Sequence, residues 1–239
     1  MPITYGEYCP IAVGAEFFAD RWTPLVLREL IMGSTQFNQI QRGIPRISRT
    51  VLAQRLRQLQ HRGIVDKREW GPGRPVEYRL TEAGADLEPI VMGLGHWAAK
   101  WALREPNEEQ LDASWFVWHL HQFIDHGAIP DRRTCIQFDL RGQGGGHRWI
   151  VLDRGGSTAC HTDPGYEVDL LVRADNRAAH RWFLGRTTLR DAQDQGLISL
   201  EGPSDLVRAF PTWFNPHPFH TEVVDRRHHM DGLVSTARA

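Results

Sequence analysis

Ser48-Arg49-Thr50-Val51-Leu52-Ala53-Gln54-Arg55-Leu56-Arg57-Gln58-Leu59-Gln60-His61, running on through Gly63 to Leu80, is the stretch that decides the fold. Ser48 suits a helix N-cap, because its hydroxyl can accept from a backbone N–H that has no partner inside the helix. Gly63 suits the exit, where the chain must take a left-handed turn. Leu52, Leu56 and Leu59 recur at i, i+4 and i+7, which predicts one buried stripe. Thr50, Gln54, Arg57 and His61 then point away from that stripe, and Arg49 lies in the exposed first turn. An outer face of Arg, Thr and Gln can donate to phosphates and to base edges. Ile64 to Trp70 reads as a strand, Gly71-Pro72-Gly73-Arg74-Pro75 as a turn, and Val76 to Leu80 as a second strand. The result is a β-hairpin with Arg74 near its tip.

Working toward the N-terminus, Cys9-Pro10 opens a helix, since proline is favoured at a first helical position. Ile11, Ala12, Ala15, Phe17 and Phe18 carry it to about Ala19. A second helix is expected with Thr23 as N-cap and Pro24 behind it, ending at Gly33. A third, short one fits Gln36 to Arg42, stopped by Gly43 and Pro45. Toward the C-terminus, Thr81 caps a predicted long helix from Glu82 to about Arg104, with Leu87, Ile90, Val91, Leu94, Trp97, Ala98 and Trp101 apolar. This order is that of a winged helix-turn-helix with a dimerisation helix.

The charge pattern agrees. The whole chain has 28 basic and 29 acidic side chains, so the net charge of −1 says little by itself. From Arg42 to Arg79, however, ten basic residues meet three acidic ones, a local excess of +7. Such a run is either a solvated face or an electrostatic footprint for nucleic acid. Its coincidence with the capped helix and the hairpin favours the second. With 239 residues the chain is long enough for two modest domains. No window approaches the roughly 18–20 uncharged apolar residues of a membrane span, and no basic-then-apolar leader opens the chain. Three cysteines make no disulfide framework, which points to a reducing cytoplasm.

After the polar link Pro106 to Glu109, a helix is expected from Leu111 to about His126. Strands follow at 132–141, 148–154, 157–162 and 168–173, then helices at 174–184 and 189–195. A strand at 196–201 and an apolar helix at 205–214 close the set. The glycine tract 142–146 has no phosphate-binding spacing and reads as a hairpin loop. Trp118, Phe123, Trp149, Trp182, Phe183, Phe210, Trp213 and Phe214 either line a ligand pocket or fill a closed core.

Two resemblances emerge from these residues. Cys9-Pro10, Asp20-Arg21-Trp22-Thr23, Phe37-Asn38-Gln39-Ile40 and Ile44-Pro45-Arg46-Ile47-Ser48 are similar to the HxlR-type winged-helix transcriptional regulators. The likeness continues through Leu52 to Leu59, Gly63-Ile64-Val65 and Val76 to Gly84, so that it spans residues 9 to about 101. Where members often carry a basic residue, this chain has Thr50, with Arg49 beside it. Residues 112–215 resemble the sterol carrier protein domain, an antiparallel sheet with helices around a hydrophobic cavity. That likeness is carried by Glu167 to Val172, Trp182 to Arg186, Leu200 to Leu206 and Pro211 to Phe214. The expected fold class is therefore α+β, with a winged helix-turn-helix over residues 1–105 and a sterol carrier-like domain over 106–239.

The first resemblance implies a homodimeric regulator of double-stranded DNA. Arg46, Arg49, Arg57 and the hairpin's Arg74 would neutralise phosphates, Ser48 would cap the helix, and Thr50 and Gln54 would read base edges. The second implies an apolar small-molecule ligand and no catalysis. The alternative is a carrier or enzyme in which the winged helix serves assembly only. In several HxlR-type regulators a cysteine placed like Cys9 senses oxidants, and a helix start can favour a thiolate; the other reading is a small apolar residue. The pairs His119/His121, His217/His220 and His228/His229 lack the further ligands that a zinc site needs, so no metal or cofactor is expected. Ser157, Asp153 and His161 are near in sequence only, and no catalytic motif is present.

Overall fold

The computed structural model describes residues 5–18, 20–71, 73–153 and 155–225. Ala19, Pro72, Arg154 and the tail with Arg226, Arg227, His228 and His229 lie outside them. The chain divides into two compact units, residues 1–94 and 95–239.

The first unit contains helices α1 (Pro10–Phe18), α2 (Thr23–Ile31), α3 (Phe37–Gly43) and α4 (Arg49–His61). Strands β1 (Val65–Arg68) and β2 (Glu77–Leu80) follow, then α5 (Glu82–Ala85) and the first part of α6 (Glu88–Trp101). The expected cap of α4 is present: Val51 N donates to Ser48 Oγ at 3.2 Å. Gly63 leaves the helix at φ +70°. Leu52, Leu56 and Leu59 are buried with Val26, Leu27, Leu30, Ile40, Ile44, Ile47 and Val65 in one cluster. β1 and β2 pair antiparallel, Val65 opposite Leu80 and Arg68 opposite Glu77. Tyr78 N donates to Thr35 O at 2.7 Å, which ties the hairpin to the start of α3.

Two elements of the first part of the chain differ from expectation. The N-cap of α2 is Trp22, without a side-chain hydrogen bond, and Thr23 is already helical and buried. The long helix from 82 to 104 is broken into α5 and α6 at Asp86 and Leu87. Pro89 has no N–H to donate back to Ala85, so the helix cannot run through it and must restart.

The second unit begins within α6 and continues with α7 (Ala113–Gln122), β3 (Thr134–Arg141), β4 (Gly146–Asp153) and β5 (Gly156–Cys160). Then come β6 (Leu170–Asp175), α8 (Asn176–Phe183), α9 (Leu189–Asp194), β7 (Ile198–Glu201) and α10 (Ser204–Ala209), with a 3-10 turn at Phe210–Trp213. Residues 220–225 are helical. The sheet order is β5-β4-β3-β6-β7. It is mixed, not antiparallel as expected, because β6 runs parallel to β3, with Ile136 opposite Leu170. After the β3-β4-β5 meander the chain crosses to the free edge of β3 through residues 161–169. Period-two alternation marks a strand but not the direction of its neighbour. Ile136, Phe138, Leu140, Ile150 and Leu152 form the inner face and pack with Phe116, Val117, Leu120, Phe183, Phe210 and Trp213.

Candidate functional site

On α4 the buried leucine stripe forces the opposite face outward. Thr50, Gln54 and Arg57 are exposed on it. Thirteen residues make a helix about 20 Å long at about 1.5 Å per residue, a rod that a major groove admits. Arg49 bridges α3 and α4: its Nη1 donates to Gln41 Oε1 at 2.8 Å and to Asn38 Oδ1 at 3.2 Å. Its guanidinium also lies 4.9 Å over the Phe37 ring. These partners are neutral, so they orient the charge without cancelling it. Arg46 is exposed in the turn between α3 and α4. Ser48 accepts with its Oγ from Val51 N, so its work is to hold the first turn.

The local positive excess is not all available. Arg55 turns inward, pairs with Asp20 and donates to Gln58 Oε1 at 2.6 Å. On the hairpin, Arg79 pairs with Glu77 at 3.0 Å and Lys67 with Glu69. The hydrogen bond from Arg79 holds the Glu77 carboxyl below its ordinary range, and that from Lys67 does the same to Glu69. Glu69 in turn raises the Lys67 ammonium. Arg74 stands exposed at the tip, between Gly73 at φ +80° and Pro75. Arg62, which is exposed and lies 5.3 Å over Phe17, and the exposed Arg68 extend the basic surface. Sequence reasoning counted these two in the charge excess without assigning them a role.

In the second unit, Phe123, Trp182, Phe183 and Phe214 line a cavity of about 370 Å³. The other four aromatics do not. Trp118, Phe210 and Trp213 are buried in the core, and Trp149 lies on the opposite face of the sheet with Cys135 and Val151. Thr187, Asn215, His217 and His220 also line the cavity. The two histidines had stood out only as a close pair, and the spacing carried no signal for a cavity wall.

All three cysteines are free thiols. Cys9 is half-buried at the start of α1, where its carbonyl accepts from Val13 N at 3.0 Å. Cys135 is buried, and burial, then the neighbouring Asp169 carboxylate, pushes its thiol up to about 11. Ser157 Oγ donates to His121 O at 3.4 Å, which occupies it with the scaffold. Among the described residues, no group of three or more His, Cys, Asp or Glu side chains is placed to hold a metal ion, and no helix is long and apolar enough to cross a membrane.

A capped helix with a buried stripe and a basic outer face, beside a basic hairpin, defines a helix-turn-helix DNA-binding regulator. A profile of the HxlR-like helix-turn-helix family matches residues 17–106. The uncharacterized HTH-type transcriptional regulator YvaP of Bacillus subtilis (strain 168) is 37% identical over 98 residues, which are 40% of this chain and 90% of YvaP. A second B. subtilis protein of that description, YdeP, is 31% identical over 96 residues, 40% of this chain and 75% of its own. MT3179 of Mycobacterium tuberculosis (strain CDC 1551 / Oshkosh), another, is 40% identical over 91 residues, 37% of this chain and 56% of its own. The chain belongs to the HxlR-like helix-turn-helix family.

Proposed function

We propose that this regulator acts as a homodimer whose two α4 helices enter successive major grooves of double-stranded DNA. Thr50 and Gln54 read base edges, Arg46, Arg49 and Arg57 hold phosphates, and Arg74 reaches the backbone or the neighbouring minor groove. The observation that carries this reading is the exposed Arg49–Thr50–Gln54–Arg57 face directly opposite three buried leucines. The dimer is supported by α6. Ile90, Leu94, Trp97 and Trp101 recur at i, i+4, i+7 and i+11 and are 49–63% exposed. A stripe of large apolar side chains left open to water marks an interaction face.

The second part of the proposal is that the C-terminal domain, sterol carrier-like and reckoned from about residue 106, binds an apolar small molecule that controls DNA binding. The aromatic cavity supports it. Control requires that the ligand bind the two dimer states with different affinity. The chain is read as cytoplasmic and non-catalytic.

Sedimentation of the full chain tests the dimer: a two-chain species is expected, and Trp97→Glu with Leu94→Glu should yield the monomer. A monomer in the unmodified protein at micromolar concentration would reject it. A carrier using the winged helix for assembly only would bind apolar ligands yet show no preference among DNA sequences.

A further inference from the structure

The cavity of the second unit is tied at both of its walls to α6 and the chain that leaves it. Along one short segment, His217, His220 and Val224 line the cavity, while Phe219 and Glu222 face α6. The Phe219 ring sits where Gly95 has no side chain: a Cβ there would lie 2.0 Å from Phe219 Cζ. The same ring meets the His96 ring edge-on at 5.0 Å, and Glu222 Oε1 lies 2.7 Å from His96 Nδ1. On the other wall the His220 ring rests on Gly185, where a Cβ would lie 2.1 Å from His220 Nδ1. The next residue, Arg186, donates to Leu103 O at 2.8 Å and to Arg104 O at 3.0 Å, and pairs with Glu105 at 3.3 Å.

The lining also restricts the occupant. Phe123, Trp182, Phe183 and Phe214 supply ring faces and edges, and no Asp, Glu, Lys or Arg is among the lining residues described. An ammonium entering there would lose its hydration without gaining a counter-charge, and a carboxylate would find no Lys or Arg to pair with. Thr187, Asn215 and His217 leave room for one or two hydrogen bonds. The volume is near the low end of the roughly 300–1,000 Å³ of ligand pockets, which suits two or three rings and not a long acyl chain.

We infer that this cavity takes a small uncharged aromatic molecule, and that its filling is transmitted to residues 95–105 through the Phe219–Glu222 and Arg186 ties. The inference rests on the reading of the second unit as a ligand-binding unit. A ring placed between His217 and the Gly185 wall must press on both ties at once, because both walls end in them.

The test uses the full chain with N-phenyl-1-naphthylamine, an uncharged aromatic amine that brightens in apolar surroundings. Saturable binding of one probe per chain is expected, with 1-naphthoate, its charged relative, at least about tenfold weaker. Thr187→Trp fills the cavity and should weaken the probe by about tenfold or more; Asn215→Trp is the second filling variant should the first not fold. Bound probe should slow amide exchange at 96–104 by about threefold or more. In Glu222→Ala, which leaves the lining intact, the probe should bind within about twofold of normal affinity while that slowing is diminished. Four results would each overturn the inference: no saturable binding, equal binding of naphthoate, binding untouched by both filling variants, or exchange at 96–104 that ignores the probe. None of these readouts involves DNA, so a failure of the DNA-binding reading would show separately.

Discussion

On the proposed DNA-binding surface, Arg57 and Arg74 should govern affinity and Gln54 specificity. If Arg57 and Arg74 each hold a phosphate as proposed, Arg57→Ala and Arg74→Ala should weaken binding on every DNA sequence. The salt slope should flatten by about 0.9 for each phosphate that is no longer neutralised. Gln54→Ala should instead relax discrimination at one base pair, by about 1–3 kcal/mol. Anisotropy titrations over a salt series check all three, and an Arg74→Ala protein with unchanged affinity and slope would remove the hairpin from the interface. Gly43→Ala probes the fold beneath: a Cβ there would lie 1.9 Å from Glu29 Oε2, and that carboxylate is buried and paired with Arg28 at 2.7 Å. A loss of about 1–3 kcal/mol in the first unit's stability is expected from such overpacking, measured by urea denaturation. Among the thiols, mild peroxide should modify Cys9 before Cys135, whose raised pKa keeps it protonated. Peptide mapping decides; DNA affinity that falls with Cys9 unmodified would exclude sensing by that residue. At single residues the sequence reading went as far as local geometry goes. Ser48, Gly63 and the three leucines were readable because each acts within one or two turns of helix. The inward turn of Arg55 was not, because its partner Asp20 is 35 positions away.

Secondary-structure elements were mostly readable where period and punctuation agree, as in α4 and the β1-β2 hairpin. Apolar periodicity passed through Pro89 unaltered, so the break between α5 and α6 was hidden by a pattern that both helices share. The parallel β3-β6 pair was hidden for a different reason, since strand direction is set by the crossover and not by the strand. Which of the eight aromatics line the cavity was hidden for a third: alternation along β4 puts Trp149 and Val151 opposite Ile150 and Leu152, so Trp149 belongs to the far face. A pH dependence follows from the packing of α7 against α8. His180 is buried, with Nδ1 2.8 Å from Asn176 O and Nε2 3.4 Å from Asp112 N, the N-cap of α7. Burial lowers its pKa from 6.5, with Asn176 and Asp112 opposing and His119 adding. The unfolded chain therefore binds this proton more readily than the folded one. The stability that neutral His180 provides is whole above about pH 6.5 and falls away below it, toward the depressed folded value. The second unit's urea midpoint should drop more steeply from pH 7 to pH 5 than it does in His180→Gln. Equal slopes would mean that His180 is not held neutral.

For the molecule as a whole, the two units carry different kinds of information. The first unit's function could be read from sequence because DNA recognition by a helix leaves a one-dimensional trace: a cap, a stripe, an outer polar face and clustered charge. The second unit's cavity left none, because Phe123, Trp182, Phe214 and His217 meet only when the helices and the C-terminal segment fold over the sheet. If α6 pairs with its mate, the operator is a near-palindrome with half-sites about 10–10.5 base pairs, or a multiple, apart. A second copy would enlarge the buried surface beyond the roughly 600–1,000 Å² of a single module, which favours the dimer proposed above. The most direct test is a fluorescence-anisotropy titration of the full chain, at two salt concentrations, with the DNA upstream of its own coding region against a scrambled duplex. Binding tighter by about 10³-fold or more on the native duplex is the predicted result. Weak binding, equal on both duplexes and abolished by salt, would contradict the account.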